Sequence, residues 1–234
     1  MFARKNTPFT LGAALLAVFG VACQDEAPAT GLADVAETIQ ASHNAAPGSA
    51  QLYQASFSPL NADLSFRPVR GQATVRVADG QLSVMIEASG LEPGIPHPQH
   101  IHGFLGAGPG ACPTLDADRN EDGIIDVLEG VPDYGGILVT LDSDLTDGAG
   151  TQVEGLPTTS NQGGTIRYTM TAPLSEVVAG AGAADAAELD LGNRHIVLHG
   201  VNPETELGTA ASIGGLPAWL TLPVACGQLF TAGR

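Results

Sequence analysis

The stretch Ala73-Thr-Val-Arg-Val-Ala-Asp79-Gly80-Gln-Leu-Ser-Val-Met-Ile-Glu87 decides the fold class. Apolar and polar residues alternate on both sides of Asp79-Gly80, which places each run on a strand with one buried face. Asp-Gly accepts the left-handed backbone of a tight loop, so the two runs pair as an antiparallel hairpin. Outward from it, Gln51 to Leu60 has strand character, and further strands are expected at Gly136 to Leu141, Gly164 to Thr171, Arg194 to His199 and Val224 to Phe230. The Ala-rich stretch from Pro173 to Leu191 fits either a short helix or a loop, and no internal repeat is visible. Short strands, Gly/Pro turns and almost no helix predict an all-β sandwich or barrel with long loops.

A length of 234 residues suits one such domain, and an apolar share of 44% is enough for a sizeable core. Charge is less ordinary, with 25 acidic residues against 9 basic ones and Lys5 as the only lysine. A chain this acidic will not hold a phosphate backbone by counterion release, which argues against nucleic acid as a partner. Arg4 and Lys5 precede an apolar run, Phe9 to Ala22, broken by Gly12 and Gly20. The run is shorter than the ~20 residues of a membrane span and fits a secretory signal. It ends in Gly20-Val21-Ala22-Cys23, which resembles the lipobox of bacterial lipoproteins, although Gly20 stands where that motif usually has Leu. The resemblance implies a lipidated Cys23, and Gln24 after it implies the outer membrane, facing periplasm or surface.

The expected organisation is thus a signal peptide over 1–22, a lipid-anchored flexible tether over 23–50 and a folded domain over 51–234. The tether is rich in Ala, Pro, Gly, Ser and Asp, with weak helical character from Leu32 to Ala41. If Cys23 takes lipid, Cys112 and Cys226 remain as a pair, and in an oxidising compartment such a pair is most simply a disulfide. Closing so long a loop should stabilise by about 4 kcal/mol.

The six histidines are His43, in the tether, and two tight groups: His97-Pro-Gln-His100-Ile-His102-Gly103 and His195-Ile-Val-Leu-His199. Residues two apart in a strand point to the same side, so His100 and His102 share a face and can reach one ion. A third ligand must come from another strand. His195 and His199 also share a face, but four residues of strand separate them by ~13 Å, so only one of them can join that ion.

Four landmarks resemble the copper/zinc superoxide dismutase family. Gly90-Leu91-Glu92-Pro93-Gly94 with His97-xx-His100-x-His102 looks like that family's histidine strand, and Cys112 follows where its first disulfide cysteine stands. Arg194-His-Ile-Val-Leu-His199 looks like the strand bearing its last copper histidine, and Ala225-Cys226-Gly227 like the motif that closes the disulfide. The resemblance implies a Greek-key β-sandwich or flattened barrel, copper on His100, His102 and His199, His97 bracing the site by hydrogen bonding, a Cys112–Cys226 disulfide, and superoxide as substrate. It assigns His195 no role.

The departures are specific. No histidine lies between His102 and His195, so the family's zinc ligands and bridging histidine are missing. Pro223 stands three residues before the second cysteine, where the family has a substrate-guiding arginine. The His100-Ile-His102-Gly103 segment also resembles the CHRD domain, a secreted β-module named from chordin, which implies a non-catalytic copper- or partner-binding role.

Where a zinc loop would sit, the sequence has Asp118-Arg-Asn120-Glu-Asp122-Gly123-Ile124-Ile125-Asp126-Val-Leu-Glu129. This matches the twelve-residue EF-hand loop at its informative places. Asp118, Asn120, Asp122, Asp126 and Glu129 offer side-chain oxygens and Ile124 a carbonyl, a donor set that suits calcium. Gly123 permits the sharp turn and Ile125 should pack inward. Pro113, Gly130 and Pro132 argue against flanking helices, so an isolated calcium loop is expected.

Overall fold

A computed structural model describes residues 50–106, 108–149 and 161–232. The signal, the lipobox with Cys23, His43 and nearly all of the tether lie outside the described residues. The domain is an all-β sandwich of two five-stranded antiparallel sheets that stay separate and do not close into a barrel.

The first sheet runs in the order β10 (Phe230–Thr231), β1 (Gln51–Ser56), β3 (Arg70–Ala78), β4 (Gln81–Ser89) and β7 (Thr165–Pro173). Its centre is the hairpin read from the sequence, in register from Arg70↔Ser89 to Ala78↔Gln81. Asp79 and Gly80 form the two-residue loop with φ of 53° and 72°, both left-handed, so the turn twists with its strands. Strand β7 pairs with β4 along all nine of its residues.

The second sheet has the order β2 (Ser58–Pro59), β9 (Pro223–Gln228), β8 (His195–His199), β5 (Gln99–Gly103) and β6 (Gly136–Thr140). The chain leaves β4 for the β5–β6 pair of this sheet and returns as β7 beside β4, a crossover of Greek-key type. Alternation fills the space between the sheets: Val75, Leu82, Val84, Ile86, Ile166 and Tyr168 of one sheet share a buried cluster with Ile101, Val139, Ile196, Leu198 and Val224 of the other.

The opposite parity in the second sheet points away from that core. Val197 and Cys226 there form a smaller buried cluster with Leu60 and Tyr134. Tyr134 belongs to α1 (Val127–Tyr134), which directly follows the acidic loop. The expectation of no flanking helix is therefore corrected on the exit side. Asp126 caps α1 by accepting from Leu128 and Glu129 amides while Glu129 returns a carboxylate to the Asp126 amide. That capping box outweighs Gly130 and Pro132. The Ala-rich stretch becomes two short helices, α2 (Leu174–Gly180) and α3 (Ala186–Leu189), and α4 (Ala218–Thr221) precedes β9.

Candidate metal centre

Strand β5 sends Ile101 into the core and turns His100 and His102 outward, beneath the segment that ends in α1. Strand β8 does the same, with Ile196 and Leu198 inward and His195, Val197 and His199 on the other parity. Three rings meet on this outer face. Their centroids are 5.4 Å apart for His100–His102, 5.2 Å for His100–His199 and 5.8 Å for His102–His199. One ligand nitrogen from each lies within 4.8 Å of the others, so His100, His102 and His199 can hold a metal ion.

The hydrogen bonds around the rings decide which nitrogens are available. A backbone carbonyl only accepts, so His102 Nδ1 donates to Gly135 O at 2.9 Å and His199 Nδ1 donates to Thr221 O at 2.6 Å. The Nε2 atoms of both rings then carry lone pairs, and both are buried without a partner among the described residues. His100 Nδ1 is likewise buried and unpartnered. Orphaned acceptors are costly in a core and become useful only when a ligand fills the space between them.

Protonation agrees with this. Burial is the largest cause in all three cases. It drives His100 well below the ordinary value of 6.5, with His199 and His102 adding to the shift. His102 falls to about 3 and His199 to about 4, the Gly135 and Thr221 carbonyls opposing the shift only partly. Three imidazoles held neutral, with one ligand nitrogen of each within 4.8 Å of the others, fit a transition-metal ion that takes nitrogen ligands.

His97 lies beside this group and not in it. Its Nδ1 is 2.8 Å from His199 O and its Nε2 2.9 Å from Glu92 O, so its ring ties the end of β8 to the segment before β5. Burial lowers its pKa while both carbonyl bonds raise it. His195 is 0% exposed and is the direct cross-strand partner of His102, yet both its ring nitrogens lack a partner among the described residues and it stays outside the cluster.

Several contributors left no sequence motif. Gly135 follows α1 with φ 87°, and a Cβ there would stand 2.3 Å from Gly103 O, so only glycine brings this carbonyl to His102. Tyr134 packs edge-on against the His102 ring at 4.7 Å between centroids. Arg194 is 1% exposed, bonds the carbonyls of Leu189 and Glu188 at the end of α3, and lies across Gly103. A glycine after a helix was the one available signal for Gly135; nothing local marked Thr221, whose backbone does the work.

The cover is held down covalently. Cys112 and Cys226 form a disulfide with Cα atoms 5.7 Å apart, and Cys226 lies opposite Val197 in the β8–β9 ladder. In the acidic loop, Asp118 accepts from the Asp122 and Gly123 amides, and Glu129 accepts from those of Arg119 and Asn120. Gly123 has φ 83° and Ile125 is buried. Asn61, which carried no sequence signal, brackets Ile125 through both its amide and its carbonyl. The loop also docks on the long β8–β9 connection: Thr209 donates to Asp122, holding that carboxyl below its usual range, and the Ala211 amide donates to Asp126. Among the described residues, the histidines form the one group of three or more His, Cys, Asp or Glu ligand atoms gathered this closely.

No family model matches this chain, and no curated protein matches it.

Proposed function

We propose that this is an exported, lipid-anchored copper-binding redox protein related to the superoxide dismutases, with superoxide as its substrate. The observation that carries the reading is the set of three buried, neutral imidazoles with unpartnered nitrogens turned toward one small space. His100, His102 and His199 would hold copper, which supplies a one-electron couple when bound. Gly135 and Thr221 hold two of the rings in the tautomer that presents Nε2, and His97 steadies the backbone of His199. Imidazole nitrogens suit copper as they suit zinc, iron and nickel, and it is the family resemblance that selects copper. The expected signal, the lipobox resemblance and the acidic composition support a location in the cell envelope, on the periplasmic or outer face of the outer membrane.

A second reading, a CHRD-like module that stores copper or binds a partner without catalysis, is favoured by two observations. Pro223, not an arginine, is the residue paired with His199, and a net charge of −16 gives an anionic substrate little steering. A steady-state dismutase assay on copper-loaded chain, against the His100→Ala/His102→Ala double variant, decides between them. Activity lost in the variant supports the enzyme. Stoichiometric copper with no activity above the variant supports the storage module.

Calcium is the second metal of this reading. Asp118, Asn120, Asp122, Asp126, Glu129 and the Ile124 carbonyl would ligate it, with a structural role in ordering the cover. Support comes from the match to the EF-hand spacing alone.

A further inference from the structure

Arg67, Pro68, Arg70, Ser89, Gly90 and Gly163 line a hollow of about 420 Å³ at one end of the first sheet. Register builds it: Arg70 opens β3 opposite Ser89 at the end of β4, and Ser89 is opposite Thr165 at the start of β7. The strap bearing Arg67 is drawn onto this end by the bond from its amide to Gly90 O, 3.0 Å long. Gly90 has φ 93°, and a Cβ there would lie 2.8 Å from Pro68 O and 2.9 Å from Arg67 O, so the strap lies this close only over glycine.

The chemistry of the lining is unusual for this chain. Among the described residues the one ion pair is Arg167–Glu87, so neither Arg67 nor Arg70 has a carboxylate partner although acidic residues outnumber basic ones 25 to 9. Among the described residues, no acidic side chain lines the hollow. The Arg67 guanidinium sits 5.1 Å from the centroid of the Phe66 ring, a cation–π contact that needs no carboxylate partner.

We propose that the Arg67–Arg70 hollow binds a phosphate group. Two arginines from separate segments line one hollow, and a pair of guanidinium groups suits a tetrahedral dianion, whereas a planar carboxylate is satisfied by a single fork. The Ser89 hydroxyl is a further donor. The hollow is larger than an inorganic ion and open, so the phosphate can belong to a soluble ester or to a lipid headgroup. This site is independent of the metal centre.

The test is titration of inorganic phosphate into the purified full chain at low ionic strength, read by phosphorus NMR line broadening. Saturable binding is expected, with Arg67→Gln and Arg70→Gln each weakening it about tenfold, the loss expected for a charge-assisted hydrogen bond. Arg76→Gln, an exposed arginine elsewhere on β3, should leave it unchanged, and unchanged melting curves should show that the variants are folded. Absence of saturable binding, or equal weakening by Arg76→Gln, would overturn the proposal. Sedimentation of the Cys23→Ser chain, which carries no lipid, with phosphatidylcholine vesicles, with and without phosphatidic acid, separates the sources. Binding only with phosphatidic acid identifies a headgroup, and binding to free phosphate alone identifies a soluble ester.

Discussion

His195 stands directly across the β5–β8 ladder from His102, yet the residue that joins His102 and His100 is His199, whose backbone amide bonds to Pro98 beyond the cluster. Hydrogen bonding outside the ladder resolves the choice. The rings of His102 and His199 are held through Nδ1 by the Gly135 and Thr221 carbonyls, while His195 has no such anchor.

Copper affinity should therefore fall steeply, by a hundredfold or so at least, in His100→Ala, His102→Ala and His199→Ala, each of which removes one ligand nitrogen; loss of an orienting partner alone already costs ~10–100-fold. His195→Ala should change it by less than a few-fold. Competition with a chromophoric chelator measures all four, and equal damage from His195→Ala would give the wrong member of β8 the ligand role.

Gly135→Ala should weaken copper binding by ~10–100-fold without touching a ligand, because the added Cβ collides with Gly103 O and displaces the carbonyl that orients His102. The same competition assay applies. A Gly136→Ala control, where the added atom meets nothing within 4 Å, should be mild.

Stability of the metal-free chain should fall as pH drops from about 6.5 toward 4. The folded-state values of His102, about 3, and His199, about 4, lie below the ordinary 6.5, so over that window only the unfolded chain takes up these protons. Stability is fully present above pH 6.5 and declines with a slope of about 1.4 kcal/mol per pH unit for each such histidine. Urea midpoints at pH 7, 5.5 and 4.5 test this, and a flat profile would show that the rings are not held neutral.

Reducing the Cys112–Cys226 disulfide, or replacing either cysteine with serine, should cost about 2–5 kcal/mol, since the bond spans 114 residues of sequence. Denaturant unfolding with and without reductant gives the value. Peptide mapping of unreduced protein should recover the two cysteines linked.

Calcium should raise the melting temperature, by mass action worth roughly 2.7 kcal/mol at a hundredfold excess over its dissociation constant. Glu129→Gln should remove most of that response. It should also lower stability without calcium, because Glu129 closes the capping box of α1. A melting curve indifferent to calcium would leave the loop as a hydrogen-bonded cover alone.

Much of the sandwich was legible because strand alternation and Asp79-Gly80 are local signals: side chains repeat every two residues whatever the strand pairs with. The exit helix was misread because Gly130 and Pro132 are local too, while the capping box that overrides them depends on the geometry of Asp126 and Glu129. At the site, the spacing of His100 and His102 was enough to put them on one face.

The sequence by itself determined an all-β chain, a shared face for His100 and His102, and an acidic loop with metal-ligand spacing, since each depends only on neighbours along the backbone. The family resemblance names His199 over His195, but tertiary structure alone decided that Gly135 and Thr221 orient the rings, and that Arg67 and Arg70 line one hollow. Those outcomes depend on strand register and on backbone carbonyls, which every residue carries alike and which a sequence cannot distinguish.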